Sequence, residues 1–309
     1  MIRYIAGRIG YLIVTLIIIA AITFLMMELL PGSPFNSQKL TTEQIAILKH
    51  NYHLDDPIPV QFMTYMGNML HGDLGVSFAQ NGRPVTQILS TKIGPSALIG
   101  LEAVIVGSII GLLLGIIAAL KRNSWADYLS NFISVIGISI PSFVFAGLLQ
   151  YWIGVKLQWL PIAFWGGPKY QIMPAFALAV GVIATIARFM RTEMLDVLGQ
   201  DYIVTAKAKG MTSASVIFKH TIRNAMIPII TILGPLVVNI MTGSLVIENI
   251  FAIPGIGAEF VDCITQRDYP MIMGTTLMYT LLFLVVVLVV DLLYGVIDPR
   301  IRLGGGRSE

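Results

Sequence analysis

Few residues of this 309-residue chain have types and spacings that could carry chemistry. His50-x-x-His53 has the spacing of two metal ligands on a helix but no third ligand nearby, so a solvated helix face explains it better. The single cysteine, Cys263, excludes a disulfide framework and a cysteine-rich zinc site. No G-x-x-x-x-G-K-[ST], H-E-x-x-H or G-x-S-x-G motif is present. We therefore expect no catalytic site, no metal site and no cofactor bound by this chain.

Four acidic residues interrupt otherwise apolar stretches, namely Glu28, Glu102, Glu248 and Asp291. An ionisable residue at membrane depth predicts a functional site, although each of these could instead reach a membrane interface or cap a helix. We predict that Glu248 and Glu102 line a translocation path together with Asn239. The amide of Asn239 could alternatively bond across helices, as polar side chains do in membrane bundles.

The composition indicates a protein that uses lipid as its solvent. Apolar residues make up 56% of the chain, charged residues only 12%, and the mean hydropathy is +0.80. A soluble domain carries about 25% charged residues, so a soluble globular enzyme is excluded. The net charge of +3 arises from few charges and does not indicate a nucleic-acid partner.

Six apolar stretches are long enough to cross a bilayer as helices, which takes about 20 residues. They are residues 9–29, 97–120, 130–155, 172–190, 226–250 and 271–297. The sequence therefore predicts an all-α polytopic membrane protein with six transmembrane helices. The first span is expected to be retained, because its apolar run is longer than that of a signal peptide. Pro141 and Gly234-Pro235 predict kinks in the third and fifth spans.

Lysine and arginine decide the orientation of these spans, because cytoplasmic loops carry more of them. Thirteen of the 20 fall at the termini or in the even-numbered connections. Both termini, residues 1–8 and 299–309, and the loop 191–225 are therefore expected in the cytoplasm. The long connection 30–96 is expected outside.

The outer connection 30–96 has the pattern of a small helical cap. Thr41 predicts a helix start, and residues 55–57 predict its end. Apolar residues then recur at helical spacing, at Val60, Met63, Met66 and Leu70. Turn signals follow at residues 71–75 and 81–84. Near the chain's other end, Gly255-Ile256-Gly257 is interpreted as a turn, and Cys263 as part of an outer loop.

The cytoplasmic loop 191–225 is polar and predicts a helix–turn–helix. Residues 202–209 predict a short helix that ends at a left-handed Gly210. Thr212 or Ser213 then predicts the cap of a second helix running to Pro228. The small residues Ala206, Ala208 and Gly210 would allow close contact with another protein. An amphipathic elbow on the membrane surface explains the same pattern equally well.

The stretch Thr205-Ala206-Lys207-Ala208-Lys209-Gly210, with His220, Arg223-Asn224-Ala225 and Pro228, resembles the cytoplasmic "EAA" coupling loop of ABC importer permeases. It is similar to the variant of the dipeptide/oligopeptide/nickel branch, in which Val204 stands where the general pattern has Glu. Other segments agree in order over nearly the whole chain: Pro31-Gly32-Ser33-Pro34-Phe35, His71-Gly72-Asp73-Leu74-Gly75, Met194-Leu195-Asp196-Val197-Leu198, Glu248-Asn249-Ile250-Phe251, Pro254-Gly255-Ile256-Gly257, Arg267-Asp268-Tyr269-Pro270, Asp291-Leu292-Leu293-Tyr294 and Ile297-Asp298-Pro299-Arg300.

This resemblance implies a type I ABC importer permease, most similar to the B-type subunit of an oligopeptide importer, with a five-helix permease core over 97–298. It implies a bacterial cytoplasmic membrane, a second permease, an extracytoplasmic solute-binding protein, a peptide substrate and two ATPase subunits that bind ATP and Mg. The chain itself would be no enzyme. The resemblance places ATPase coupling in loop 191–225, called the coupling loop below, at Asp201, Tyr202, Thr205, Ala206, Lys207, Ala208, Lys209, Gly210, His220 and Arg223.

Alternative functions remain open at this point. The same transporter class could import dipeptides, nickel or metal–chelator complexes. A secondary transporter predicts inverted repeats and charges at mid-membrane, and neither is evident. An intramembrane enzyme would need a paired nucleophile and base within the spans, where no histidine lies.

Overall fold

The computed structural model describes residues 2–29 and 54–297, together with the isolated positions 43, 46, 47 and 50. Its α-helices are α1 (Ile2–Glu28), α2 (Ile58–Leu70), α3 (Val85–Leu120), α4 (Trp125–Ser139), α5 (Ser142–Leu149), α6 (Ile172–Leu198), α7 (Asp201–Ala208), α8 (Ser213–Ser215), α9 (Arg223–Ile250), α10 (Ile256–Gln266) and α11 (Tyr269–Ile297). Two π-helical segments, Gln150–Lys156 and Val216–Ile222, extend α5 and join α8 to α9. The predicted helix start at Thr41, His53 and residues 299–309 lie outside the described residues.

The described helices confirm the prediction of an all-α polytopic membrane protein. Within the described residues, five helices are long and apolar enough to cross a membrane, and a sixth crossing arises if one bent helix pair forms a single span. α3 begins at Val85, well before the predicted start at 97. α6 continues to Leu198, so the first residues of the predicted coupling loop belong to a helix.

The third predicted span is broken rather than kinked. α4 ends at Ser139, and the helix that starts at Ser142 and runs to Lys156 is bent from it by 103°. Pro141 accounts for the break, because it donates no backbone hydrogen bond and its ring excludes the preceding turn from the helix. Ile140 before it is accordingly extended, with φ −91 and ψ 123.

The fifth predicted span starts much earlier than the sequence predicts. Helical conformation is continuous from Ser213 to Ile250 through α8, the π-helical segment and α9. Pro228 therefore lies inside this helix instead of separating the second helix of the coupling loop from the span. The bend predicted at Gly234-Pro235 does not interrupt the helix.

The chain divides into two compact units, the first comprising residues 1–95 and 254–285. In its core, Phe24 and Met27 of α1 pack with Ile88 and Leu89 of α3 and with the start of α11. α2 covers this core with Phe62, Tyr65, Met66 and Met69. The periodicity correctly predicts the helix, but Met63 and Leu70, at 70% and 81% exposure, point away from the core.

The second unit comprises residues 96–253 and 286–309. Its centre is α6, whose buried residues include Val182, Ile186 and Met190. Gly107, Gly111 and Gly115 of α3 recur every four residues and so share one helix face. That face lies directly against α6: a Cβ added to each glycine would lie 2.6–2.9 Å from α6 atoms. Small residues permit such close approach of membrane helices.

Residues 255–257 begin a helix instead of forming the predicted turn. Gly255 is extended at the N-cap, and α10 starts at Ile256. Cys263 therefore lies on a helix, with 3% exposure, and not in an open outer loop. The predicted turns at 71–75 and 81–84 are present, with positive φ at Gly72, Gly75, Asn81 and Gly82.

Candidate functional site

The predicted helix–turn–helix of the coupling loop is present. α7 spans Asp201–Ala208, and Gly210 follows with φ +79, a conformation that glycine adopts without steric cost. Thr212 caps the next helix, because its side chain accepts a hydrogen bond from the backbone N–H of Ser215 at 3.3 Å. The expected short helix, left-handed Gly210 and cap at Thr212 are therefore confirmed.

One face of α7 packs inward on the permease itself. Ile203 has no exposed surface, Ala206 is 7% exposed, and both pack with the buried Val216 of the second helix. The small size of Ala206, Ala208 and Gly210 predicts a surface for another protein. The structure corrects this for Ala206, whose small size lets α7 approach the helix that contains Val216.

Two large apolar side chains of the coupling loop are exposed. Val204 is 63% exposed and Phe218 is 70% exposed. Tyr202 is 42% exposed, and its hydroxyl accepts a hydrogen bond from Asn224 Nδ2 at 3.1 Å. Exposed apolar side chains in a polar loop are typical of a surface that contacts another protein or the membrane. Val204 and Phe218 are absent from the coupling residues predicted by resemblance, although an apolar side chain in a polar loop is a visible signal.

The other predicted coupling residues also lie on this part of the chain. His220 is half-buried, and those that are exposed are Asp201, Thr205, Lys207, Ala208, Lys209, Gly210 and Arg223. The hydroxyl of Thr205 already donates a hydrogen bond to the backbone oxygen of Asp201 at 3.0 Å, within α7. Lys207 and Lys209 are therefore open to a partner.

Glu248, predicted to line a translocation path, is buried. It is 1% exposed, and its Oε1 accepts a hydrogen bond from the Ser96 hydroxyl at 2.7 Å. This contact joins α9 to α3 within the second unit. A buried carboxylate that already has a hydrogen-bond donor is poorly placed to attract a substrate cation, so its burial favours a structural role.

The structure does not bring Glu102 to the same place as Glu248. Glu102 is half-buried and lines a separate groove of about 350 Å³ with Gln171, Ile172 and Phe176. The side chain of Asn239 lies outside the described side chains. The role of Asn239 in a path therefore stays a prediction. Glu102 and Glu248 do not line the same groove.

The break at Pro141 opens a groove of about 340 Å³ in the second unit. The groove lies between the end of α4, the middle of α6 and α9. Its polar groups include Ser142 and Thr185, and its apolar wall includes Leu178, Leu236 and Phe145. A groove of this size and mixed lining suits a small ligand. Pro141 is its only signal in the sequence, and the facing helices cannot be read from it.

An ion pair that the sequence does not reveal fixes the start of α4. Arg191 donates from Nε to Asp127 Oδ1 at 2.6 Å and from Nη2 to Oδ2 at 2.8 Å. Asp127 is 2% exposed. The two residues are 64 positions apart. In the sequence, each is an ordinary charged residue near the end of a predicted span, so their pairing cannot be predicted.

Comparison with known families decides the class of this protein. Residues 111–303 match the family described as "Binding-protein-dependent transport system inner membrane component". Residues 1–91 match "Binding-prot-dependent transport system membrane comp, N-term". The chain belongs to this permease family. It is therefore a multi-pass transmembrane permease subunit of a bacterial ABC importer, in agreement with the sequence resemblance.

Curated relatives match the permease over almost its full length. The dipeptide transport system permease protein DppB of Bacillus subtilis (strain 168) is 45% identical, over 98% of this chain and 99% of its own. DppB of Lactococcus lactis subsp. cremoris is 43% identical, over 98% and 100%. The oligopeptide transport system permease protein OppB of Salmonella typhimurium is 41% identical, over 98% and 100%. All three are named as permeases of transport systems.

Solved structures share the fold of the permease core. The inward-facing MetNI methionine ABC transporter matches with a TM-score of 0.58, over 69% of this chain and 97% of that chain. An amino acid ABC transporter crystallised with histidines matches with a TM-score of 0.54, over 68% and 94%. Both are 17% identical in sequence, so they establish the type I importer fold and nothing about the substrate.

Two buried carboxylates of the permease organise its first unit. Asp268, 1% exposed, accepts hydrogen bonds from the Ser77 hydroxyl and from the backbone N–H groups of Phe78 and Ala79. Glu259, 4% exposed, accepts from Gln80 Nε2 at 2.5 Å and pairs with Lys92 Nζ at 2.6 Å. The turn after α2 is thus fastened to α10 and to the start of α11. Asp268 lies in the segment Arg267–Pro270, one of those that resemble the permease branch, but its hydrogen-bond partners are visible only in the structure.

Among the described residues, no group of three or more His, Cys, Asp or Glu could hold a metal ion. His50 is exposed, and its predicted companion at 53 lies outside the described residues. The metal alternative for this pair therefore stays untested.

We expect Cys263 to be inert toward thiol reagents in the folded permease. Burial raises the pKa of its thiol to about 12, so the reactive thiolate is scarce at pH 8. A free thiol has a pKa of about 8.5, so labelling should be slower by roughly a thousandfold. Maleimide labelling followed by mass spectrometry checks this, with the denatured protein as the control. Equal labelling rates before and after denaturation would contradict the burial.

Proposed function

We propose that this permease moves oligopeptides across the cytoplasmic membrane, driven by ATP hydrolysis on partner subunits. The observation that carries the proposal is that curated relatives at 38–45% identity over 98% of the chain are dipeptide and oligopeptide permeases. Identity of this level over the whole length extends through both units. Membrane-spanning helices with grooves between them are compatible with a path for peptide. The exposed coupling loop is compatible with contact to an ATPase subunit.

Dipeptides are the second candidate substrate. The two DppB relatives, at 43% and 45% identity, are more similar to this chain than the OppB relatives at 38–41%. The difference is small, so peptide length has to be measured.

The proposed complex contains this chain, a second related permease, two ATPase subunits that bind ATP and Mg, and an extracytoplasmic solute-binding protein. The exposed apolar side chains of Val204 and Phe218 support contact between the coupling loop and an ATPase. In this mechanism ATP-driven closure of the ATPases moves the coupling loop, and the helices open outward to accept peptide. Hydrolysis returns them to the inward-open state.

Uptake by the purified complex tests this function. The complex is reconstituted into liposomes with ATP inside and the cognate binding protein outside, and radiolabelled peptides of two to six residues are offered. We expect ATP-dependent uptake, with the preferred length separating oligopeptide from dipeptide import. Uptake of nickel but of no peptide would overturn the proposal, and a nucleotide-free preparation is the control.

We propose that both termini and the coupling loop lie in the cytoplasm, since most lysines and arginines fall there. Single cysteines replace the exposed residues Ser213 and Met63 in a Cys263→Ser background. In intact spheroplasts, an impermeant maleimide should label Met63→Cys and leave Ser213→Cys unlabelled. Inverted vesicles should give the opposite pattern. Labelling of Ser213→Cys in spheroplasts would reverse the orientation.

A further inference from the structure

The two-point contact between Asp127 and Arg191 fixes both the separation and the relative rotation of α4 and α6 where they meet. The guanidinium contacts both carboxylate oxygens, at 2.6 and 2.8 Å. Asn131 Nδ2 donates to Oδ1 at 2.9 Å, and the backbone N–H of Asn123 donates to Oδ2 at 3.0 Å. A planar two-point contact restricts rotation of one helix against the other, which a single hydrogen bond does not.

The pair joins the beginning of α4 to the end of α6. Asp127 lies in the first turn of α4, just after the turn at Asn123, which has φ +60. Arg191 lies two turns before α6 ends at Leu198, and α7 of the coupling loop begins at Asp201. The part of α6 that carries Arg191 therefore precedes α7 directly in the chain, with only residues 199 and 200 between the two helices.

The far end of α4 is equally constrained by α6. A Cβ on Gly137 would lie 2.7 Å from the Cβ of Ala184, so the two helices touch there. Between these points the Ser130 hydroxyl donates to the backbone oxygen of Leu114 in α3, at 3.2 Å. Beyond Gly137, the break at Pro141 forms one wall of the 340 Å³ groove. α4 thus runs from the ion pair at one end to the groove at the other.

We propose that Asp127 and Arg191 are positioning residues that make α4 move with the coupling loop. Displacement of α7 would then change the groove at Pro141 and gate the path. The proposal rests on the proposed function, because it assigns the motion that ATP hydrolysis drives. A buried ion pair contributes little net stability compared with apolar packing, but it specifies one geometry. Such a contact suits a joint that has to transmit movement without slipping.

Spin-label distances test the joint directly. Labels are placed at the exposed residues Trp125 and Lys209 in the Cys263→Ser background of the complete complex. The Trp125–Lys209 distance should be the same with and without trapped ATP, because α4 follows the loop. In Asp127→Asn, which keeps the side-chain shape, the distance should differ between the two states or its distribution should broaden. Arg188→Gln removes an exposed charge one turn away on α6 and is the matched control.

Transport coupling gives the second readout. In Asp127→Asn and Arg191→Gln, we expect the peptide imported per ATP hydrolysed to fall at least tenfold while stimulated hydrolysis stays within twofold. Arg191→Lys, which keeps the positive charge beside Asp127, should recover part of the ratio that is lost in Arg191→Gln. A purely structural pair would lower hydrolysis and transport together.

Three results would overturn the proposal: an unchanged label distance in Asp127→Asn, no recovery in Arg191→Lys, or loss of complex assembly in Asp127→Asn. The label distances do not depend on which substrate is carried. A wild-type complex that imports no peptide but keeps the expected distances would therefore refute the peptide assignment and leave the joint intact.

Discussion

Replacing Gly115 with leucine is expected to abolish the folded permease. A Cβ at this position would lie 2.7 Å from the backbone oxygen of Ala187 and 2.7 Å from Met190 Cβ, closer than packed atoms approach. A backbone oxygen cannot rotate away, so α3 and α6 have to separate along the whole glycine face. Even Gly115→Ala should cost about 1–3 kcal/mol, the usual range for overpacking, and leucine should cost more.

The measurement is the yield of monodisperse protein after extraction in a mild detergent, together with its melting temperature. Gly147→Ala in α5 is the matched control, since no atom lies within 4 Å of the added Cβ. There the substitution removes the poor helix propensity of glycine and should be neutral or stabilising by up to about 1 kcal/mol. A Gly115→Leu protein that melts like the wild type would show that α3 and α6 are not in close contact.

Replacing Val204 with aspartate is expected to disconnect the permease from its ATPases. Val204 is 63% exposed on α7, so the permease itself should fold and melt normally. If its side chain fills an ATPase pocket, a buried unpaired carboxylate there should weaken attachment by about 2 kcal/mol, the level of an interface hot spot. That corresponds to roughly 30-fold.

Copurification of the ATPases and peptide uptake in liposomes measure this effect, and both should fall. Val204→Thr keeps the shape of the side chain and is the control that should retain most activity. An aspartate variant with normal attachment and uptake would leave the coupling loop as an elbow on the membrane surface. Ala206→Trp is a poor probe of the same contact, because it would disturb the packing of α7 on Val216.

Local rules account for what the sequence predicts well. The end of α7 follows from the glycine at 210, and the next helix start follows from the hydroxyl of Thr212, because neither depends on distant residues. The length of each apolar run likewise predicts a span. Pro141 identifies where the third span is interrupted, whereas the 103° bend depends on how α4 and α5 pack on α6.

Features that depend on tertiary contacts escape the sequence. Ala206 and Ala208 look alike in a list of small residues, and only the position of Val216 makes the first one buried. Asp127 finds Arg191 across 64 residues, and Asp268 finds the turn at Ser77 across 191. Glu248 is correctly identified as unusual, but its burial beside Ser96 changes what its carboxylate can do.

The continuous helix from Ser213 to Ile250 links the coupling loop to the fifth span without a hinge between them. At 1.5 Å per residue it is about 57 Å long, against a hydrocarbon thickness of about 30 Å. Residues 213–225 of this helix belong to the coupling loop, so about 20 Å of helix precedes the predicted fifth span. A tilt of about 10° about the membrane boundary would swing its free end by roughly 4 Å, comparable to the rise of almost one helical turn. Conversely, a displacement of several ångströms at the coupling-loop end of this helix corresponds to a tilt of only a few degrees within the bilayer.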